Sequence, residues 1–429
     1  MEESKEERNL TTKKRLRFGN LLSTTFASLK HRNYRLFFFG QLISLIGTWM
    51  QTAAQGWLVY DITRSRFFLG VVSALSTLPM SLLSPFGGVV ADRFPRRRIV
   101  LFTQVSLLFP PLALSLLVLV GKVEVWQIAA LGALSGVINA FDMPARQAFV
   151  IELVGRQDLM NAIGLNSGIF NGARIVGPAI AGTLIVTVGI GYCFLLNSLS
   201  YIAVIVALIF IQTPMVVSQS ESGSVLDTVT SGFKYISRNR RLFGLLGLLA
   251  LVCVFGFSYT VLLPAFARDI LDVSAQGYGY LLTFNGIGAV TGALFVATMA
   301  SKVKNRKHIL FIGISLFSVS IMLVSLMTRF TLALLPLVFA GMGMIMFLST
   351  ANTLIQTTVS DEFRGRVMGI WTFVFGGSMP LGSFVAGAMA QYLGVPLTIK
   401  IGALICATAA LIASIFSETG SRTSSVSSV

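Results

Sequence analysis

The chain has 429 residues, 54% of them hydrophobic and only 12% charged, with a mean hydropathy of +0.79. A water-facing surface calls for roughly 25% charged residues, so the composition excludes a soluble globular protein and makes lipid the natural solvent. The formal net charge of +16 would suit a nucleic-acid partner, but the basic residues sit in short gaps between apolar stretches, where they suit anionic lipid headgroups instead.

The first 19 residues alternate acidic and basic side chains and carry no apolar run, so they are not a secretory signal. The arm through residue 33 is expected in the cytoplasm, with a short surface helix over Asn20–Arg32. Apolar stretches then follow at roughly 34–59, 67–91, 98–120, 125–145, 160–187 and 191–212. A basic, polar connection over 213–241 separates these from a second set at roughly 242–266, 275–299, 309–328, 331–355, 367–391 and 396–416. Each stretch can cross about 30 Å of hydrocarbon at about 1.5 Å per residue. The expected fold is therefore all-α, with twelve transmembrane helices in an N-terminal half (34–212) and a C-terminal half (242–416). The Ser/Thr-rich tail over 417–429 is expected to be irregular and cytoplasmic.

Loop charge tests this topology independently. With the N-terminus inside, 26 of the 33 Lys and Arg residues fall on cytoplasmic segments and five (Arg64, Arg66, Lys122, Arg268, Arg329) fall outside. That split follows the positive-inside rule and puts both termini in the cytoplasm of a multi-pass protein of the cytoplasmic membrane. The two halves also repeat. Residues 32–37 read RNYRLF and 238–243 read RNRRLF, 206 positions on; Gly177 and Gly182 recur as Gly382 and Gly387, 205 positions on. The turn DRFPRRR (Asp92–Arg98) aligns with SKVKNRK (Ser301–Lys307) at 209.

Several constellations carry chemistry. Between the second and third helices lie Gly88, Asp92, Arg93, Arg96 and Arg97. Gly88 lets a neighbouring helix approach, Asp92 can accept from the free N–H groups at the start of helix 11, and the arginines can pair with acids or lipid phosphates. In helix 5, Pro178 frees the carbonyl of Arg174 and bends the helix, while Gly177 and Gly182 permit close packing. Arg174 itself lies about 18 Å along helix 5 from Ala162, near mid-membrane, where a cation is costly. It meets either an anionic or phenolic substrate group, or the carbonyls and amides of neighbouring helices. Gln51, Gln55, Asn139, Asn171 and Asn285 are further candidates for a substrate cavity, with Trp49, Tyr259 and Trp371 as stacking partners, while Trp57 and Tyr60 suit an interfacial belt. Cys193, Cys253 and Cys406 stand singly, and His31 and His308 lie at the cytoplasmic surface, so no metal site or cofactor is expected and an enzyme is disfavoured.

The Gly88–Arg97 and Ala173–Gly182 motifs resemble those of the major facilitator superfamily, although Pro95 stands where the first motif usually has glycine. With GQLISLIGTWM in helix 1, Asp142-Met-Pro144-Ala-Arg146 and Arg364-Gly-Arg366, the chain is similar to the enterobactin-exporter and macrolide-efflux branch over roughly 28–416. The resemblance implies two six-helix halves with substrate bound between them. It also implies a cytoplasmic latch at Asp92 that favours an outward-open state, and export of siderophores, macrolides or other drug-like amphiphiles by a monomer, driven by the proton gradient. Helix 4 lacks the arginine that drug–proton antiporters of the superfamily carry, and Asp61 and Asp142 lie near helix ends, so no mid-membrane proton carrier is evident. A lipid or lysolipid translocase on the same fold is the alternative.

Overall fold

The structure, a computed structural model, describes residues 26–212, 225–299 and 306–426. Most of the surface helix expected over Asn20–Arg32, and the start of the basic turn at Ser301–Lys307, lie outside these residues. Among the described residues, eleven helices are long and apolar enough to cross a membrane, and one of them, Val125–Thr187, has 63 residues. At about 1.5 Å per residue that helix is some three bilayer cores long. It breaks at Gly155, where φ is +71°, and so supplies two passes.

The twelve passes are α1 (Arg32–Thr63), α2 (Arg66–Arg93), α3 (Arg96–Leu119), α4 (125–154), α5 (156–187) and α6 (Ile190–Phe210) in the N-terminal half. The C-terminal half holds α7 (Arg240–Asp269), α8 (Ala275–Met299), α9 (Arg306–Leu326), α10 (Phe330–Thr358), α11 (Asp361–Leu393) and α12 (Val395–Ser414). Residues 146–159, expected as a loop, are helical except at the break. They pack Phe149, Leu153 and Val154 into an apolar cluster with Tyr34, Phe37 and Leu208. Two further corrections apply. Val225–Arg238, within the expected polar connection, forms an amphipathic helix that stacks Tyr235 on Phe363 of α11 at 4.4 Å. The backbone after α12 stays helical through Val426, since no proline stops it.

Outward-facing apolar side chains such as Phe86, Phe102 and Phe109 are more than half exposed, as lipid contact requires. Within each half, small residues set the packing: a methyl at Gly288 of α8 would lie 1.8 Å from the Val338 carbonyl of α10. The halves meet along two seams, α2 against α11 and α5 against α8. A methyl at Gly70 would lie 2.4 Å from Ser383 O and 2.8 Å from Gly387 Cα; one at Gly279 would lie 2.5 Å from Pro178 O and 3.1 Å from Gly182 Cα. Those two sets of residues exchange under the 205–209 offset of the repeat, so the seams are pseudo-symmetric copies of one contact.

A candidate substrate cavity between the halves

Between the seams lies a cavity of about 470 Å³, walled by α1, α2 and α5 from one half and α7, α8 and α11 from the other. Its wall is mostly apolar, with scattered hydroxyls. Ser76 donates to Val72 O at 2.8 Å and Thr77 to Ser73 O at 2.9 Å, so each hydroxyl is satisfied inside its own helix and still offers lone pairs to the cavity. Gln55 Nε2 donates to Ser76 Oγ at 3.3 Å, and Ser73 meets Ser383 across the seam at 3.1 Å. Among the described residues lining the cavity there is no Asp, Glu, Lys or His, and the one cation is Arg174.

Arg174 joins the halves. Its Nη2 donates to Asn285 Oδ1 of α8 at 3.1 Å, and Asn285, only 2% exposed, donates in turn to the Tyr259 hydroxyl and to Leu337 O at 3.3 Å. The guanidinium carbon stands 5.7 Å from the Trp49 ring centre, within cation–π range. Among the described residues it forms no ion pair. Among the described residues its Nε and Nη1 make no hydrogen bond, and Arg174 is part of the cavity lining. The motif around it divides its work. Gly177 takes α1, where a methyl would lie 2.6 Å from Trp49 Cβ, and Pro178 and Gly182 take α8.

The cavity is shut at the end opposite the basic turns. Asp269 of α7 accepts from Tyr60 and, at 2.7 Å, from Arg66, while Arg268 pairs with Asp61. Trp57 stacks on Tyr278 at 5.7 Å under Arg268. Trp57 and Tyr60, expected in an interfacial belt, are instead buried between the halves, because both find partners there. At the basic end the halves part. Among the described residues, hydrogen bonds between them reach no farther that way than Ser81 Oγ to Gly376 O at 2.7 Å. Gly88, Gly164, Gly168, Gly365 and Gly369 beyond that point have nothing within 4 Å of an added methyl.

A model of the transmembrane secretion effector family matches residues 23–427. The chain belongs to this family of the major facilitator superfamily. It is accordingly a membrane transporter and not an enzyme. It is 25% identical to the staphyloferrin A transporter of Staphylococcus aureus (strain NCTC 8325 / PS 47), covering 87% of this chain and 94% of that one. It is equally 25% identical to the multidrug efflux pump Tap of Mycolicibacterium fortuitum (85% and 90%) and to the enterobactin exporter of Escherichia coli O1:K1 / APEC (80% and 81%). Among solved structures, a POT family transporter in complex with 5-aminolevulinic acid superposes with a TM-score of 0.74 at 13% identity, covering 90% and 96%. A bacterial homologue of the lysosomal transporter Spinster, in an inward-facing, unoccupied conformation, gives 0.68 at 14%, covering 91% and 97%.

In this transporter three of the expected substrate residues, Arg174, Gln55 and Asn285, line the cavity. Four do not. Gln51 accepts from Asn197 of α6, Asn139 and Asn171 donate back to the carbonyls of Ser135 and Ser167 one turn earlier, and Trp371 is buried inside the C-terminal half. Each spends its polar or apolar face on a helix neighbour, a choice that spacing alone does not reveal. Arg93 and Asp92 are exposed, and Asp92 lies 4.0 Å from Arg96 instead of reaching α11. Arg96 pairs with Glu152 of α4 at 2.9 Å, and Arg97 donates to the last carbonyls of α6, Leu208 O at 2.9 Å and Ile209 O at 3.2 Å. The close approach assigned to Gly88 belongs to Gly87, whose added methyl would lie 2.0 Å from Ala140 O.

Sequence reasoning named Arg268, Asp142 and Arg146 without finding the partners that the structure gives them. The pair Arg268–Asp269 looks like an ordinary loop end until α1 and α2 are known to face it. Asp142 is fully buried between α3 and α4, accepting from Thr103 at 2.7 Å and Gln104 at 3.0 Å, with Arg146 Nε at 3.3 Å. Arg146 also donates to Gln41 at 2.8 Å. The cluster lies within the N-terminal half and outside the cavity lining.

Proposed function

We propose that this transporter exports small amphipathic molecules of the siderophore and drug class, with its basic end and both termini in the cytoplasm. The asymmetry of closure is the observation that carries the reading: a mid-membrane cavity shut by two cross-half ion pairs at one end, with the halves parted at the basic end. Such a state accepts cargo from the basic side. Rocking about the cavity, with the distal pairs broken and the basic end closed, would release cargo on the other side. The relatives' names, a staphyloferrin A transporter, an enterobactin exporter and a multidrug efflux pump, support the cargo class and the direction. We take the unit to be a monomer and the driving force to be the proton gradient, which the superfamily resemblance suggests and no cavity carboxylate supports.

Inside-out vesicles should accumulate at least one member of a panel of siderophores, macrolides and dyes, and nigericin should abolish the accumulation. A panel that includes a fluorescent lysolipid separates the lipid-translocase alternative. Failure to move any of the small molecules sinks the export reading, and persistence under nigericin sinks proton coupling. Reporters fused at Gly223 and at the C-terminus should both read cytoplasmic, and one inserted beside Arg329 should read outside.

A further inference from the structure

We infer that the cavity takes anionic amphiphiles, molecules with a carboxylate, phenolate or catecholate on a flat apolar body, and that Arg174 is the group that reads their charge. The inference rests on the export reading above and narrows it to a substrate class. Among the described residues, the acids that close the distal end and those packed inside the N-terminal half each have a basic partner. Asp61 is engaged by Arg268, Asp269 by Arg66 and Tyr60, Asp142 by Arg146, and Glu152 by Arg96. Among the described residues, Arg174 alone lines the cavity as a charge with no counter-ion.

A cation at mid-membrane depth is costly unless an opposite charge or strong acceptors compensate it. Asn285 supplies one acceptor, at 3.1 Å, and the Trp49 ring face supplies a weak second contact at 5.7 Å. A guanidinium has five N–H donors in a planar fork. Both two-donor edges of a guanidinium include Nη2, and its two hydrogens face one edge each; Asn285 takes one of them, so the other edge, with Nε or Nη1 as its second donor, remains for a carboxylate or catecholate. Beside that edge, Trp49 offers an indole ring to an aromatic body, and the remaining wall offers hydroxyls without charge. A cationic molecule meets the reverse situation. It faces an unpaired positive charge with no cavity carboxylate to offset it.

Matched dyes test this directly. Fluorescein and rhodamine 123 share a xanthene ring system, and at mildly alkaline pH the first is anionic and the second cationic. Binding of each to the purified full chain in nanodiscs is read by fluorescence anisotropy. The wild-type protein should bind fluorescein at least about tenfold more tightly than rhodamine 123. Arg174→Gln should weaken fluorescein binding by roughly 10- to 150-fold, the range for a hydrogen bond to a charged group, and leave rhodamine 123 unchanged or tighter. Arg174→Lys should recover part of the loss, because an ammonium lacks the planar two-donor edge.

A wild-type protein with no preference between the dyes overturns the inference, and that readout needs no variant to fold. Equal loss of both dyes in Arg174→Gln, with a lowered Tm, also overturns it by making the Arg174–Asn285 contact a structural tie. The export reading fails separately. Vesicles that move no panel member, around a protein that still prefers fluorescein, would leave an anion site without the proposed transport.

Discussion

The glycine seam offers a way to displace the conformational equilibrium without touching a charge. In Gly70→Ala the new methyl would lie 2.4 Å from Ser383 O and 2.8 Å from Gly387 Cα, whereas ordinary contact begins at 3.4 Å. Helices α2 and α11 must therefore separate by about 1 Å at the distal end, or the methyl must be accommodated by strain. Overpacking of this size costs about 1–3 kcal/mol. Because the clash exists only while the distal end is closed, the cost falls on that state alone and shifts the equilibrium toward the distal-open state by about 5- to 150-fold. A single cysteine at Ser73, on the cavity wall, should then react faster with a membrane-impermeant maleimide added from the distal side. The three native cysteines, all buried, give little background. Gly288→Ala is the control: its methyl would lie 1.8 Å from Val338 O within one half, so opening brings no relief and Tm should fall without a change in labelling. If Gly70→Ala lowers Tm and leaves labelling at the wild-type rate, the seam is ordinary packing and carries no gate.

Three further outcomes follow from the charges. Asp269→Asn weakens its contacts with Arg66 and Tyr60; these half-buried contacts are worth roughly 0.2–1 kcal/mol each, so distal labelling of the Ser73 cysteine should rise by up to about thirtyfold. Asp142→Ala leaves Arg146 without its acid and the buried Thr103 and Gln104 without their acceptor, so unfolding in detergent should become easier by about 1–3 kcal/mol while the fluorescein preference survives; an unchanged Tm would show the cluster to be dispensable. Asp92→Asn should leave Tm unchanged, because the carboxylate is 53% exposed and 4.0 Å from Arg96, yet slow export if its partner is α11 in the distal-open state; a wild-type rate would make it only part of a basic loop.

Helix number and the repeat were legible because both rest on patterns that survive without tertiary context. A run such as 191–212 is apolar along most of its length, and Gly177/Gly182 against Gly382/Gly387 marks a backbone contact that few side chains tolerate. Arg174 was legible for a similar reason: depth along a helix is arithmetic, and charge at that depth is rare. What failed was direction around the helix axis. Gln51 and Gln55 lie one turn apart, yet Gln55 turns to the cavity and Gln51 to Asn197, because α6 happens to cover the second position. Gly87 and Gly88 are neighbours, and only the one facing α4 meets a backbone. The distal gate was invisible because its pairs are about 200 residues apart, and the sequence holds nothing that tells Arg268 from any other loop-end arginine.

The repeat also explains why closure can be asymmetric in a molecule whose halves are copies. The Gly70–Gly387 and Gly279–Gly182 contacts are backbone against backbone, so duplication preserves them and both seams can bear a rocking motion equally. The ion pairs are made by side chains free to diverge. Arg66 and Asp269 close the distal end, while the motif around Asp92 has settled its arginines on Glu152 and on the end of α6 within one half. Gly279→Ala at the second seam should therefore shift the balance toward the distal-open state as Gly70→Ala does, in the same direction as loss of the distal charges. Unequal shifts in distal labelling between Gly70→Ala and Gly279→Ala would count against the equivalence of the two seams.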